Sequence, residues 1–177
     1  MKSKSTAPRE QERTLRLQRE MVRLLGRFAV LAVLLWLVFG VLFGLCAMPD
    51  DQMAPRLYAG DLILYYRQAH TFHDRDVIVA RVEGQTVVGR VAARGGDTVE
   101  ISDGMLHVNG STVMENEIYY TTDAYEGGAS YPLTLKENEL FLLCDHREGA
   151  TDSRWFGPVA ADSVKGKVIT VLRRSRL

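Results

Sequence analysis

The chain has 177 residues, 46% of them hydrophobic and 25% charged, and its 22 basic residues balance 22 acidic ones. This composition excludes an intrinsically disordered chain, a collagen-like repeat and a strongly basic nucleic-acid binder, and the length suits one domain. The zero sum hides a division: residues 1–27 hold eight bases and three acids, a net of +5, and the remainder holds 14 bases and 19 acids, a net of −5.

The basic segment, about Pro8 to Gly26, reads as a helix with Leu15, Leu17, Met21, Val22, Leu24 and Leu25 set among charges. A basic helix beside anionic lipid needs no further function. Next comes Phe28 to Met48, 21 residues without a charge, Pro, Asn or Gln. As a helix that run spans about 30 Å, the thickness of bilayer hydrocarbon. A cleaved signal peptide would have an apolar stretch of about 7–15 residues and an A-x-A-like site. This run is longer, and Cys46-Ala47-Met48-Pro49 is a poor site. The expectation is an uncleaved transmembrane helix over 28–48, a cytoplasmic basic helix over 1–27 and an extracytoplasmic domain over 49–177, because bases stay on the cytoplasmic side. The lipid bilayer is then one partner.

The body reads as strands: Asp61–Arg67, Asp76–Val82, Thr86–Ala93, Thr98–Ile101, Met105–Val108, Ser111–Met114, Glu139–Cys144 and Lys167–Arg173. Asn109-Gly110 between two of them is a strong hairpin signal, which explains those residues better than the formal glycosylation sequon Asn109-Gly110-Ser111 does. Seven or eight short strands without a convincing helix predict a mainly β fold, a compact, coiled antiparallel domain. Met114–Pro132 reads as an exposed loop. Cys46 and Cys144 are expected unpaired, one at the membrane and one in the body. His70 and His73 fall in a polar loop and read as solvated, so no metal and no cofactor are expected.

Several segments, in order, resemble the type I signal peptidase family. Gln52-Met53-Ala54-Pro55-Arg56-Leu57-Tyr58-Ala59-Gly60-Asp61 is similar to that family's S-M-x-P-T-L-x-x-G-D, and Arg75–Val79 to its G-D-I-V-V strand. Val88–Asp97 is similar to K-R-V-I-G-x-P-G-D, and Cys144–Gly157 to G-D-N-R-x-x-S-x-D-S-R-x-F-G. The resemblance implies a signal peptidase-type β domain and a serine nucleophile activated by a neutral lysine. Here the nucleophile position is Gln52, the lysine position is Gly89, and a supporting serine position is Ala150. No catalytic residue is therefore expected. Asp145, Arg147, Asp152, Ser153 and Arg154 are implied to be structural, with an Asp152–Arg154 ion pair. Asp51 with Asp145 or Asp152 is a conceivable but weaker acid pair.

What such a scaffold retains is a groove for an extended peptide beside a strand, with Asp51, Gln52, Met53, Pro55, Ile78 and Val79 as its expected lining. The resemblance is closest to catalytically incomplete members that assist pilus assembly in Gram-positive bacteria. It implies an exported protein or pilin as partner and a sortase as a further one. Two other readings stay open: an active signal peptidase with a shifted alignment or unorthodox nucleophile, and a structural β anchor.

Overall fold

The computed structural model describes residues 7–173, with side chains from residue 12 onward. Lys2 and Lys4 of the basic segment lie outside the described residues. The protein divides into two units, 1–42 and 43–177.

In the first unit helix α1 (Ala7–Leu37) continues as a π-helical turn over Val38–Leu42. Glu12–Leu42 is long and apolar enough to cross a membrane by length and composition. Its apolar residues, Trp36 among them, are exposed. The helix ends earlier than the expected span to Met48. Phe43–Ala47 is strand β1, paired along its whole length with β2 (Leu62–Tyr66). Cys46 therefore lies opposite Ile63 in a sheet, not at the outer end of a helix. The cause is tertiary: an apolar β-competent run gains a full ladder of backbone hydrogen bonds once a partner edge is offered.

The second unit contains a seven-stranded sheet in the order β1-β2-β11-β3-β4-β9-β10 and a four-stranded sheet in the order β7-β6-β5-β8. Its further strands are β3 (Val77–Val82), β4 (Gln85–Arg94), β5 (Thr98–Ser102), β6 (Met105–Val108), β7 (Ser111–Thr112), β8 (Leu133–Thr134), β9 (Glu139–Leu143), β10 (Val159–Ala160) and β11 (Val164–Leu172). Every pairing is antiparallel. The mainly β antiparallel expectation holds, with one short helix added, α2 (Ser153–Phe156), capped by the Asp152 carboxylate accepting the Arg154 N–H.

Three two-residue turns build the hairpins. Glu83-Gly84, Asp103-Gly104 and Asn109-Gly110 each place both residues at positive φ, the signature of the turn whose twist matches that of its strands. The Asn109 side chain is engaged at both ends: its Oδ1 accepts from the Thr98 N–H at 2.9 Å and its Nδ2 donates to Asp97 at 2.8 Å.

Alternation sorts the core. Ile63, Tyr65, Val79 and Val88 face one cluster with Met53, Cys144 and Ala150. Ile78, Ala80, Val91, Leu140 and Leu142 face a second. Phe141 and Leu143 face a third, shared with Val99, Ile101 and Leu106 of the small sheet. β9 is thus covered on both faces, which is why its Leu-Phe-Leu-Leu stretch is an unbroken apolar run. At β11 the backbone of Gly166 passes against β2, and a Cβ there would collide with the Tyr66 carbonyl. Gly166→Ala should therefore destabilise the domain by about 1–3 kcal/mol. Thermal unfolding in detergent followed by tryptophan fluorescence checks this, with Gly84→Ala, where a Cβ meets open space but φ is positive, as the comparison for backbone strain alone.

Candidate functional site

Residues 50–56 run as successive turns between β1 and β2. The Ala54 N–H donates to the Asp51 carbonyl at 2.9 Å, and the Leu57 N–H to the Met53 carbonyl at 3.0 Å. This winding buries Met53 completely and leaves Gln52 half-buried. Gln52 is held at both ends of its side chain: Nε2 donates to Asp50 Oδ2 at 2.8 Å, and Oε1 accepts the Thr151 N–H at 2.6 Å. Its own N–H donates to Asp50 Oδ1 at 3.0 Å, and its carbonyl accepts the His146 N–H at 2.9 Å. Gln52 thereby ties the 50–56 turns to the segment 144–154.

Beside it lies a shallow groove of about 90 Å³, lined by Asp50, Gln52, Thr86, Val88, Cys144 and Thr151, with Gln85 and Val87 at its margin. The register explains the opening. β3 pairs with β4 over Gln85–Arg90, but β9 pairs with β4 only from Arg90 to Arg94. The β9-side edge of Gln85–Gly89 is left without a strand, and unpaired strand edges accept further backbone. Cys144 Sγ lies 3.7 Å from Gln52 Oε1 and 3.9 Å from the Val88 carbonyl. Burial, then the nearby Asp152 and Asp50, push its thiol far up from the usual range, so at neutral pH it is protonated and a poor nucleophile.

Behind the groove stands a buried polar wall. Arg90 donates from Nε and Nη2 to both oxygens of Asp145 at 2.8 and 2.6 Å. Burial opposes the Arg90 charge, and Asp145 outweighs it and holds the guanidinium above its ordinary value. Asp152 and Arg154, with side chains each 1% exposed, pair at 2.9 Å. Asp152 also accepts the Cys144 N–H at 3.0 Å, and Ser153 Oγ accepts the Leu142 N–H at 2.9 Å. Arg154 donates further to the carbonyls of Arg147 and Asp123 and sits 4.5 Å over the Tyr125 ring.

The residues singled out from sequence divide accordingly. Asp145, Arg147, Asp152, Ser153 and Arg154 are all buried: Arg154 bonds Asp152 and the Arg147 carbonyl, Asp145 pairs with Arg90, and Ser153 accepts from Leu142. Gln52 lines the groove; Ala150 sits in the apolar cluster with Val88 and Cys144. Gly89 does not front the groove. It pairs with Ile78, and a Cβ there would meet Leu142 Cβ at 3.2 Å; Val88, one residue earlier, is the side chain that fronts it. Met53, Ile78 and Val79 are core side chains, 0–2% exposed, and Ile78 and Val79 face opposite clusters. Asp51 accepts the Ala59 N–H at 2.7 Å, and Pro55 is exposed. Neither lines the groove. An acid pair with Asp51 has no free partner, because Asp145 is taken by Arg90 and Asp152 by Arg154. Among the described residues no three His, Cys, Asp or Glu side chains converge to hold a metal ion. Thr151 and the outer half of β4 escaped sequence reading because nothing local marks where β9 stops pairing.

A family model described as "Signal peptidase, peptidase S26" matches residues 20–172. The protein is 25% identical over 131 residues to a probable signal peptidase I-2 of Synechocystis, a match covering 68% of this chain and 58% of that protein. It is 25% identical over 136 residues to a probable thylakoidal processing peptidase 2 of Arabidopsis thaliana, covering 70% of this chain and 36% of that one. Against a signal peptidase I of Bacillus licheniformis the identity is 26% over 136 residues, covering 71% and 73%. The match thus spans less than two thirds of the first two relatives. A solved signal peptidase I from Enterococcus faecalis shares 30% identity, covering 56% of this chain and 97% of that one with a TM-score of 0.44.

The wall yields a direct test. Asp152→Asn leaves the Arg154 charge buried without its carboxylate, which should cost about 3–5 kcal/mol. Replacing Asp74, exposed and paired only at the surface with Arg94, should cost about 0–1 kcal/mol. Urea titration of both variants in detergent compares the two.

Proposed function

The chain belongs to the signal peptidase family, peptidase S26, and we propose that within it this protein is a membrane-anchored binder of exported polypeptides that does not cut them. The observation that carries the reading is the state of Gln52. In the family pattern that position is a serine, whose hydroxyl attacks once a neutral lysine takes its proton. A carboxamide has no proton to yield in that way, and here both of its ends are engaged by Asp50 and Thr151. At Gly89 there is no amine, and the space beside it is filled by Leu142. Ala150 supplies no hydroxyl. Loss of a nucleophile or base from such a unit costs about a factor of 10⁶ in kcat.

The binding half is supported by what remains. The free edge of Gln85–Gly89 offers backbone N–H and C=O groups to an extended peptide, and the adjacent groove takes a small side chain, the two elements of strand-addition recognition. The ion-paired wall holds this edge at a fixed distance from Gln52. The glutamine side chain also takes the Thr151 N–H that a water or substrate would otherwise occupy. Among exported polypeptides, a pilin passed on to a sortase is the narrower form of the proposal, and it rests on the resemblance alone. The second reading, an active peptidase, is favoured by the breadth of the family match.

The test uses full-length protein in detergent with a precursor carrying a signal peptide. The unmodified protein should leave the precursor intact and retain it on an affinity column. Gln52→Ser with Gly89→Lys and Ala150→Ser should give weak cleavage at most, since the new lysine must displace Leu142 at a cost of about 1–3 kcal/mol. Robust cleavage by the unmodified protein would refute the binder reading and establish the peptidase.

Orientation follows from charge. The bases of the N-terminal segment should remain inside, leaving 43–177 outside the cell. Protease added to intact protoplasts should degrade that domain and spare the helix, and protection of the domain would reverse the assignment.

A further inference from the structure

A cavity of about 420 Å³ opens between the two sheets, a size typical of small-ligand sites. Its lining shares no residue with the Gln52 groove. Its floor is apolar: Leu106 and Leu143 are buried, and Val108 and Val113 are half-buried. Its walls carry Arg75, Arg90, Arg94 and Arg147, four arginines brought together in the acidic part of the protein.

The hydrogen bonds on these walls show what they lack. A guanidinium has five N–H donors and no acceptor. Arg90 is committed, with Nε and Nη2 on Asp145 and Nη1 on the Arg75 carbonyl. Arg147, its side chain 1% exposed, donates from Nη1 to Thr122 and from Nη2 to Glu115, but its Nε is buried without a partner among the described residues. Arg75 spends one donor, Nη2, on the Met114 carbonyl and pairs with no carboxylate among the described residues. Arg94 spends its side-chain Nε on Asp74. The Asp97 oxygens on the same walls receive the Arg94 N–H and Asn109 Nδ2. A buried donor without an acceptor costs about 1–3 kcal/mol, and the Nε of Arg147 is such a donor on these walls.

Charge narrows the ligand. Asp74, Asp97 and Glu115 on the walls and Asp145 behind Arg90 offset the four arginines one for one. With no net positive charge the cavity does not suit a polyanion such as a nucleotide, and the donors left over on Arg75 and at the Nε of Arg147 match one carboxylate. The floor asks for an apolar group attached to it. We infer that this cavity binds a polypeptide carboxylate with an adjoining apolar side chain, Arg75 and the Nε of Arg147 holding the carboxylate and Leu106, Val113 and Leu143 receiving the side chain. Arginine suits this role because its planar fork matches carboxylate geometry. The C-terminus of a polypeptide and an aspartate or glutamate side chain both supply the group. The inference is independent of whether the Gln52 groove binds or cuts.

The test records the arginine Nε–H resonances of full-length, ¹⁵N-arginine-labelled protein in nonionic detergent. The probes are N-acetyl-Gly-Leu-Phe with a free carboxylate, its C-terminal amide, and N-acetyl-Gly-Glu-Phe amide. The free acid should shift the Arg147 and Arg75 resonances, and the Leu-Phe amide should bind about tenfold more weakly. Binding of the free acid alone identifies capture of a C-terminus, and equal binding of the glutamate peptide identifies capture of an acidic side group; either supports the site. Arg75→Ala, at an exposed position, should weaken binding about tenfold with an unchanged unfolding midpoint, and Val113→Trp should abolish it by filling the cavity. Equal affinity for acid and amide, no shift at millimolar peptide, or tighter binding of decanoate than of either acid peptide would overturn it.

Discussion

The buried pair Asp152–Arg154 is the interaction on which the rest of the domain's functional face depends. Its two charges are out of water, so each must be satisfied inside the protein or its burial costs several kcal/mol. Asp152 achieves this with the Arg154 guanidinium, the Arg154 N–H and the Cys144 N–H; Arg154 with Asp152 and the carbonyls of Arg147 and Asp123. These bonds draw three separate stretches, at 123, 144–147 and 152–154, to one point. Once they are fixed, the N–H of Thr151 faces Gln52 and the segment after β9 turns away from β4.

That turn creates the groove. β9 leaves the sheet after Leu143, and the outer part of β4 is left with one neighbour in place of two. An edge of this kind is a liability unless covered or used. Gln52, Cys144 and Val88 stand beside it, none of them a nucleophile at neutral pH. The arginine-walled cavity arises from the same packing, since Arg90 and Leu143 sit where the large sheet meets the small one.

Much of this was legible in the residues. The strand set came from short apolar alternations, and Asn109-Gly110 from the need for positive φ at both turn positions. Glu83-Gly84 and Asp103-Gly104 follow the same rule and carry the same signal. The Asp152–Arg154 pair was visible because it follows from identities, and identities survive without coordinates. Met53, Ile78 and Val79 were assigned to the groove by their neighbourhood in the motifs, but the face a strand residue presents depends on register, and register placed them in the core.

Residue identity alone therefore determined the chemical inventory: an apolar membrane-length run, a mainly β body and a signal peptidase-type motif series. Only the tertiary structure decided where the apolar run stops being helix, because Phe43–Ala47 become a strand only beside β2. It alone decided that Val88 and not Gly89 fronts the groove, and that four arginines distant in sequence share one cavity. The physical reason is common to all three: strand pairing and burial are set by partners far along the sequence, and no local pattern specifies which partner arrives.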